Sequence, residues 1–416
     1  MTACGGGGKD SSPPLPAVTD VSPRTALIGT QTTFDVTGSN LTEGMRFTLA
    51  GCNGITEKAG GSPSKRQFTC TPVGAVAAYR GQVSTSATTA STSLDFSVNF
   101  RSPILSASVA SGRMLVVTAD GTLWGWGRAV GDGTNNESLV AKKIGSDFIS
   151  TVDGEFAVLA IKKDGSLWSW GFGEVLGTAN QSSVLAPVQI GSGFAKVSIE
   201  WKNTTSGEHA IGLKTDGSLW VWGARSLPTG QYGFQYTPRM FASGFSDLGA
   251  NDTALKADGS VWEWSVNTMI LSDSDAPDNS FVVKQIGTGY SVVSGGFNVT
   301  FGLKPDGSLW NWGNYAIRPA GSSGDLNTHY LVSSDVRSIS SGNAMIIKSD
   351  NTLWYPGGNV AAQSGEYIAV WPGDNCTMAL KTDGSLLAWG LCYFGDGQSS
   401  HYTQPANTPA QVVFPK

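Results

Sequence analysis

Histidine is nearly absent from this 416-residue chain, which has only His209, His329 and His401. General acid–base and metal chemistry draw on imidazole heavily, so the stock available for catalysis is small. No His-Glu-x-x-His pair, phosphate-cradling Gly loop or Gly-x-Ser-x-Gly elbow occurs. Charge is scarce too: 14% of residues are charged, the net charge is −5, and no basic stripe exists. A nucleic-acid partner requires clustered positive charge, so none is expected. No apolar run reaches the roughly 20 residues that span a bilayer as a helix. No cofactor is expected, and no metal.

What the chain does have is a repeat. An Asp-Gly-(Ser/Thr)-Leu-Trp-x-Trp-Gly octapeptide recurs from Asp120, Asp164, Asp216, Asp258, Asp306, Asp350 and Asp383. Self-similarity at this period marks units that cannot bury their faces alone. Each copy follows a short apolar run, such as Met114–Ala119 or Phe156–Lys163. Asp-Gly between two β-prone runs predicts a hairpin with a type I′ turn, positive φ being needed at both central positions. Asn351 replaces Gly once, with the residue next most tolerant of that geometry. The flanking strands are apolar at nearly every position, so both faces are covered, which fits radially packed sheets and not one open sheet.

A further strand precedes each hairpin (Phe148–Gly154, Phe194–Glu200), and before most of these comes another, such as Ala186–Gly193. Four strands per unit and seven units predict an all-β, seven-bladed propeller. The motif holds twelve of the fourteen Trp residues. Rings at alternate positions share one strand face and would fill the wedge between blades. Trp201 and Trp371 lie outside it.

The pattern of apolar run, Asp-Gly-(Ser/Thr)-Leu-Trp-x-Trp-Gly, variable loop and Pro187-Val188-Gln189-Ile190-Gly191 resembles the regulator-of-chromosome-condensation repeat in its bacterial form. The likeness covers about residues 102–416, with 180–223 as its fullest copy. It implies a seven-bladed propeller strongly and an activity weakly, since relatives include nucleotide-exchange factors, a photoreceptor and a secreted enzyme inhibitor. It also implies that His209 is structural, bonding backbone. Ser265, Tyr355-Pro356 and Leu387 depart from the pattern.

Residues 17–101 lack the repeat. Short Thr/Val/Phe strands punctuated by Pro, Gly and Asn predict a small β-sandwich. Ser22-Pro23 with Val36-Thr37-Gly38-Ser39-Asn40-Leu41 resembles the immunoglobulin-like fold of plexins and transcription factors. Residues 1–16 read as a flexible tether, and Thr2-Ala3-Cys4-Gly5 resembles the end of a bacterial lipoprotein signal. That likeness implies a lipid on Cys4 as the membrane attachment, export, and an outer-membrane or cell-surface location.

With Cys4 set aside, four of the five cysteines remain. Cys52 and Cys70 could staple the sandwich, closing a loop worth roughly 3 kcal/mol on the chain-entropy model. Cys376 and Cys392 fall nearly opposite each other across the Asp383 hairpin and could bridge; the alternative is two buried thiols. Asp273, Asp275 and Asp278 sit in one acidic loop without the Gly and Glu of a calcium loop, and Gly131–Asn136 reads as a turn.

Recognition is expected from the variable loops, at 128–139, 172–186, 224–238, 266–281, 314–330, 358–366 and 391–408. Their candidate contact residues are Tyr232, Tyr236 and Arg239, then Tyr315 and Arg318, then Tyr393 and His401. The leading expectation is a non-enzymatic, surface-tethered protein binding a protein or carbohydrate. The alternatives are a polysaccharide hydrolase or lyase using paired loop carboxylates, and an enzyme inhibitor.

Overall fold

The computed structural model describes residues 15–85, 92–110, 112–179, 183–201, 208–226, 232–249, 252–264, 283–296, 299–313, 316–318, 328–340, 344–358, 361–373, 375–398 and 406–414. Strands dominate, and the one helical element among these residues is a single 3-10 turn, Glu174–Leu176. The chain forms two compact units, one reaching Pro103 and taking in Thr382–Gly384, the other holding the rest of the chain from Ile104.

The first unit has two four-stranded sheets. One orders Ala17–Ser22, Thr32–Ser39, Lys65–Pro72 and Cys52–Glu57; the other orders Thr25–Leu27, Ser93–Arg101, Ala78–Ser84 and Arg46–Leu49. Side chains alternate along Ser93–Arg101, with Phe96, Val98 and Phe100 turned inward, as the two-residue period of a strand dictates. Phe47 of the second sheet lies 5.6 Å from Phe34 and 4.9 Å from Phe68 of the first, so their inner faces interdigitate. Cys52 and Cys70 are disulfide-bonded.

The second unit contains seven four-stranded antiparallel sheets among its described residues. Each is a meander of consecutive strands. The first runs Ile104–Ala110, Arg113–Thr118, Leu123–Gly127 and Ser138–Gly145; the last ends with Ala406–Gln411. The expected grouping was out of phase by one strand. Val184–Gly191 pairs with Leu167–Gly171, the hairpin before it, and Phe194–Trp201 opens the next sheet. Residues 180–223 therefore straddle two sheets. A strand that follows a hairpin closely in sequence completes that ladder before the chain moves on.

Packing between sheets explains the Trp pairs. Trp170 of the second sheet is fully buried among Leu115, Val117 and Leu123 of the first. Trp222 and Trp264 do the same one and two sheets on. Ile104, Met114 and Trp126 of the first sheet pack with Met378, Leu380 and Leu386 of the last. Strands with a sheet on each side are buried at almost every residue, as in Arg113–Thr118 and Ala157–Lys162.

The turn type differs from expectation. Gly121 N–H donates to Thr118 O at 2.8 Å, and Thr118 N–H to Thr122 O at 2.9 Å. The central residues are therefore Ala119 and Asp120, and Gly121 follows with φ of 85°. This is a type I turn with a glycine bulge. Asp is there for its carboxylate: Asp120 accepts from Thr122 N–H and Oγ1, an anchor that requires no positive φ at Asp. Asn351 takes the bulge position at φ of 68°.

The segment 224–238 was expected as a loop. Strands Leu219–Ser226 and Tyr232–Ala242 instead occupy most of it. Cys376 and Cys392 are disulfide-bonded with Cα atoms 5.2 Å apart. Gly390, not Cys392, is the ladder partner of Cys376. The chain folds back after Gly390, with Cys392 N–H donating to Gly390 O at 3.0 Å, which restores the approach.

Candidate binding face

In a four-stranded meander the Asp turns join strands two and three at one end, while the other connections within a sheet leave from the opposite end. Hydrogen bonds tie the turn ends together: Phe148 N–H donates to Gly121 O, Phe194 N–H to Gly165 O, and Tyr367 N–H to Asn351 O.

The turn end is a self-satisfied lattice. Asp216 accepts from Ser218 N–H at 2.9 Å and Ser218 Oγ–H at 2.5 Å, and Ser218 Oγ accepts from Trp220 Nε1–H at 2.9 Å. Lys214 lies 3.8 Å above the Trp220 ring and 5.0 Å from Phe194, a cation–π contact. The same set recurs around Lys162, Lys256 and Lys304. Hydrogen bonds from Ser hold the turn carboxyls below their ordinary range. Within these sets Asp, Ser, Trp and Lys satisfy one another.

The loop end differs. Arg113 of the first sheet donates through Nε and Nη2 to Asp153 Oδ1 of the second, at 2.9 and 2.5 Å. Glu208 Oε1 of the third sheet accepts from Glu155 N–H. Gly154 fits beneath because a Cβ there would stand 2.5 Å from Glu208 Oε1. Burial pushes Asp153 up to about 6 despite Arg113. It pushes Glu208 up to about 7, with the backbone donors of Glu155 and Phe156 pulling the other way and the Asp153 and Glu155 charges adding to the rise. Asp153 Oδ2 and Glu208 Oε2 are buried without hydrogen-bond partners. His209 Nε2 lies 3.1 Å from Asp252 Oδ1, both side chains buried. The contact reaches a carboxylate of the next sheet.

Among the described residues, the predicted contact residues Tyr236 and Arg239, Arg318, and Tyr393 belong to three different sheets. Tyr232, Tyr236 and Arg239 lie on the outermost strand of the third sheet, Tyr232–Ala242, and not on a loop. Arg318 Nη2 donates to Gly313 O at 3.2 Å, and its guanidinium faces Tyr330. Tyr393 is 4% exposed; its carbonyl accepts from Trp126 Nε1–H at 2.9 Å and its hydroxyl donates to Glu137. It is therefore a core residue where the first and last sheets meet, because the disulfide at Cys392 turns the chain inward. Tyr315, His401, Cys4 and the acidic loop 273–278 lie outside the described residues. Among the described residues, no group of three His, Cys, Asp or Glu could hold a metal ion. Gly131–Asn136 is a turn in which Asp132 accepts from Thr134 N–H and Oγ1. Trp371 packs against the core between the last and first sheets. Missed from the sequence were Arg113, Asp153, Phe156 and Glu208, which belong to no motif.

No family model matches the chain, and no curated protein does. Solved structures do. Prp20p from Saccharomyces cerevisiae, studied for its binding to Gsp1p and histones, is 17% identical over 72% of this chain and 87% of its own, with a TM-score of 0.54. Yeast RCC1 (Prp20) bound by Kap60 is 17% identical over 74% and 75%, with a TM-score of 0.42. Human WBSCR16 is 15% identical over 77% and 84%, with a TM-score of 0.44. The all-β fold of the second unit is that of a propeller. In particular, it is like the propeller of Prp20p.

Proposed function

We propose that this chain is a non-enzymatic binding protein: a seven-bladed propeller, preceded by an immunoglobulin-like sandwich, whose loop end engages a protein partner. The observation that carries this reading is the asymmetry of the two ends. At the turn end Asp, Ser, Trp and Lys satisfy one another, whereas the loop end carries the irregular connections and two carboxylates short of donors. Variable segments on a rigid scaffold are where recognition concentrates. Prp20p, a protein of like fold, is described as binding Gsp1p and histones, in keeping with a protein partner here. Core packing from each sheet to the next, and from last to first, supports seven blades. Two facing four-stranded sheets support the immunoglobulin-like assignment.

A lipid on Cys4 would tether the molecule to an outer membrane or cell surface. Two chains or more are needed for stable anchoring. Intact mass of the protein recovered from its native membrane tests this, since an unmodified Cys4 refutes the anchor. The binding role is tested by immobilising the full chain and measuring association with envelope and secreted proteins by interferometry. Saturable binding that is lost when loop-end residues are substituted is the expected result; turnover of a glycan or peptide panel, with no saturable partner, overturns it.

A further inference from the structure

Taking the loop end as the binding face, we propose that the patch around Phe156 receives a lysine or arginine side chain, so that the protein partner presents a basic segment there. Phe156 is 47% exposed. It lies on the connection between strands Phe148–Asp153 and Ala157–Lys162. Its carbonyl accepts from Phe172 N–H at 3.1 Å, and its Cβ stands 3.9 Å from where a Cβ on Gly173 would be. Glu174 follows directly on that side, and the exposed Glu155 precedes Phe156 on the other.

Beneath this rim lie two buried carboxyls. Glu208 is 3% exposed; the Glu155 and Phe156 amides serve its carboxyl, with Oε1 accepting from Glu155, and Oε2 is left without a hydrogen bond. The Asp153 side chain is wholly buried, with Arg113 on Oδ1, the Ala110 amide also drawing on the carboxyl, and Oδ2 without a close hydrogen bond. A buried acceptor short of donors costs free energy, and an ammonium or guanidinium brings three to five N–H donors. The Phe156 ring adds a face for the cation and its aliphatic stem.

The charge layout favours the same partner. From the second repeat to the seventh a lysine sits two residues before each turn Asp, from Lys162 to Lys381, at the far end of the sheets. Of the loop-end cations, Arg113, Arg128 and Arg318 are engaged by Asp153, Glu137 and the Gly313 carbonyl, and Arg225 lies on strand Leu219–Ser226. Nearby Glu200 and the His209–Asp252 pair add no uncompensated positive charge. Such a surface repels polyanions and steers cations toward it.

The test titrates the full chain with a fluorescein-labelled octapeptide of alternating Lys and Gly, beside its Glu–Gly counterpart. The Lys peptide should bind saturably and more weakly as salt rises, and the Glu peptide should not bind. Phe156→Ala should weaken binding about tenfold, as should Glu155→Gln with Glu174→Gln. Glu366→Gln, at the turn end, should leave it unchanged. Melting temperatures confirm that each variant is folded. No saturable Lys-peptide binding, or equal loss in the Glu366 variant, overturns the proposal. Binding of the Glu peptide that Phe156→Ala abolishes sinks the basic partner but spares the loop end. Binding indifferent to every loop-end substitution sinks both.

Discussion

Substituting Ser218 by Ala removes two hydrogen bonds at once, the one it donates to Asp216 and the one it accepts from Trp220. The ring nitrogen is partly buried and the carboxylate is exposed, so water replaces some of the loss. The expected cost is about 1 to 2 kcal/mol, read as a lower urea midpoint with unchanged slope. Glu208 acts in the opposite sense. Its carboxyl titrates near 4.5 in the unfolded chain and is pushed up to about 7 by burial. The folded state therefore binds more protons across that interval, and stability falls as pH rises through it. Asp153, raised to about 6, adds to the trend. Melting temperature should climb on acidification from pH 8 to about 5, and Glu208→Gln should flatten that slope. Below that the turn carboxyls, held low by Ser and Thr donors, begin to protonate and stability turns down. A slope unaltered by Glu208→Gln would refute the assignment.

At the scale of the hairpin, the bulge glycine is fixed by its backbone. Gly217 has φ of 82°, and a Cβ there would stand 2.9 Å from Phe245 O. Gly217→Ala should cost about 1 to 2 kcal/mol from left-handed strain alone, with more from the close contact, whereas Asn351→Gly should be near neutral; thermal melts separate the two. Much of this element was legible in the octapeptide. Asp, Gly, Ser and Trp act within five residues of one another, so spacing alone predicts a hairpin. The turn type was not legible, because Asp-Gly serves both a type I′ turn and a type I turn with a bulge. The difference lies in the residue before Asp, which carries no signature. Phe156 and Glu208 were invisible for another reason. Glu208 meets Glu155 across 53 residues of sequence, and nothing local marks either as a site. Tyr393 was misread because its burial depends on a neighbouring sheet at the far end of the chain.

Across the whole molecule, the weak point is where the first and last sheets meet. Their contact joins side chains, with Trp126, Tyr393 and Phe394 at its centre beside the Cys376–Cys392 disulfide, to a short backbone bridge in which Gly397 N–H donates to Leu139 O at 3.0 Å. Trp126→Ala should cost about 3 to 5 kcal/mol, more than the same change at the half-buried Trp168. Reduction of both disulfides should lower the melting temperature, each bond being worth about 2 to 4 kcal/mol. Limited proteolysis after reduction should cut first near residues 391–398; first cleavage within the second or third sheet would refute this ranking.

Among the described residues, each sheet of the second unit is encoded by one uninterrupted stretch of chain. Duplicating or deleting one such stretch of gene would add or remove a whole blade while leaving every ladder intact. Changes in ring size then require only that the wedge of tryptophan and aliphatic side chains adapt to a new angle, a smaller step than rebuilding a shared sheet.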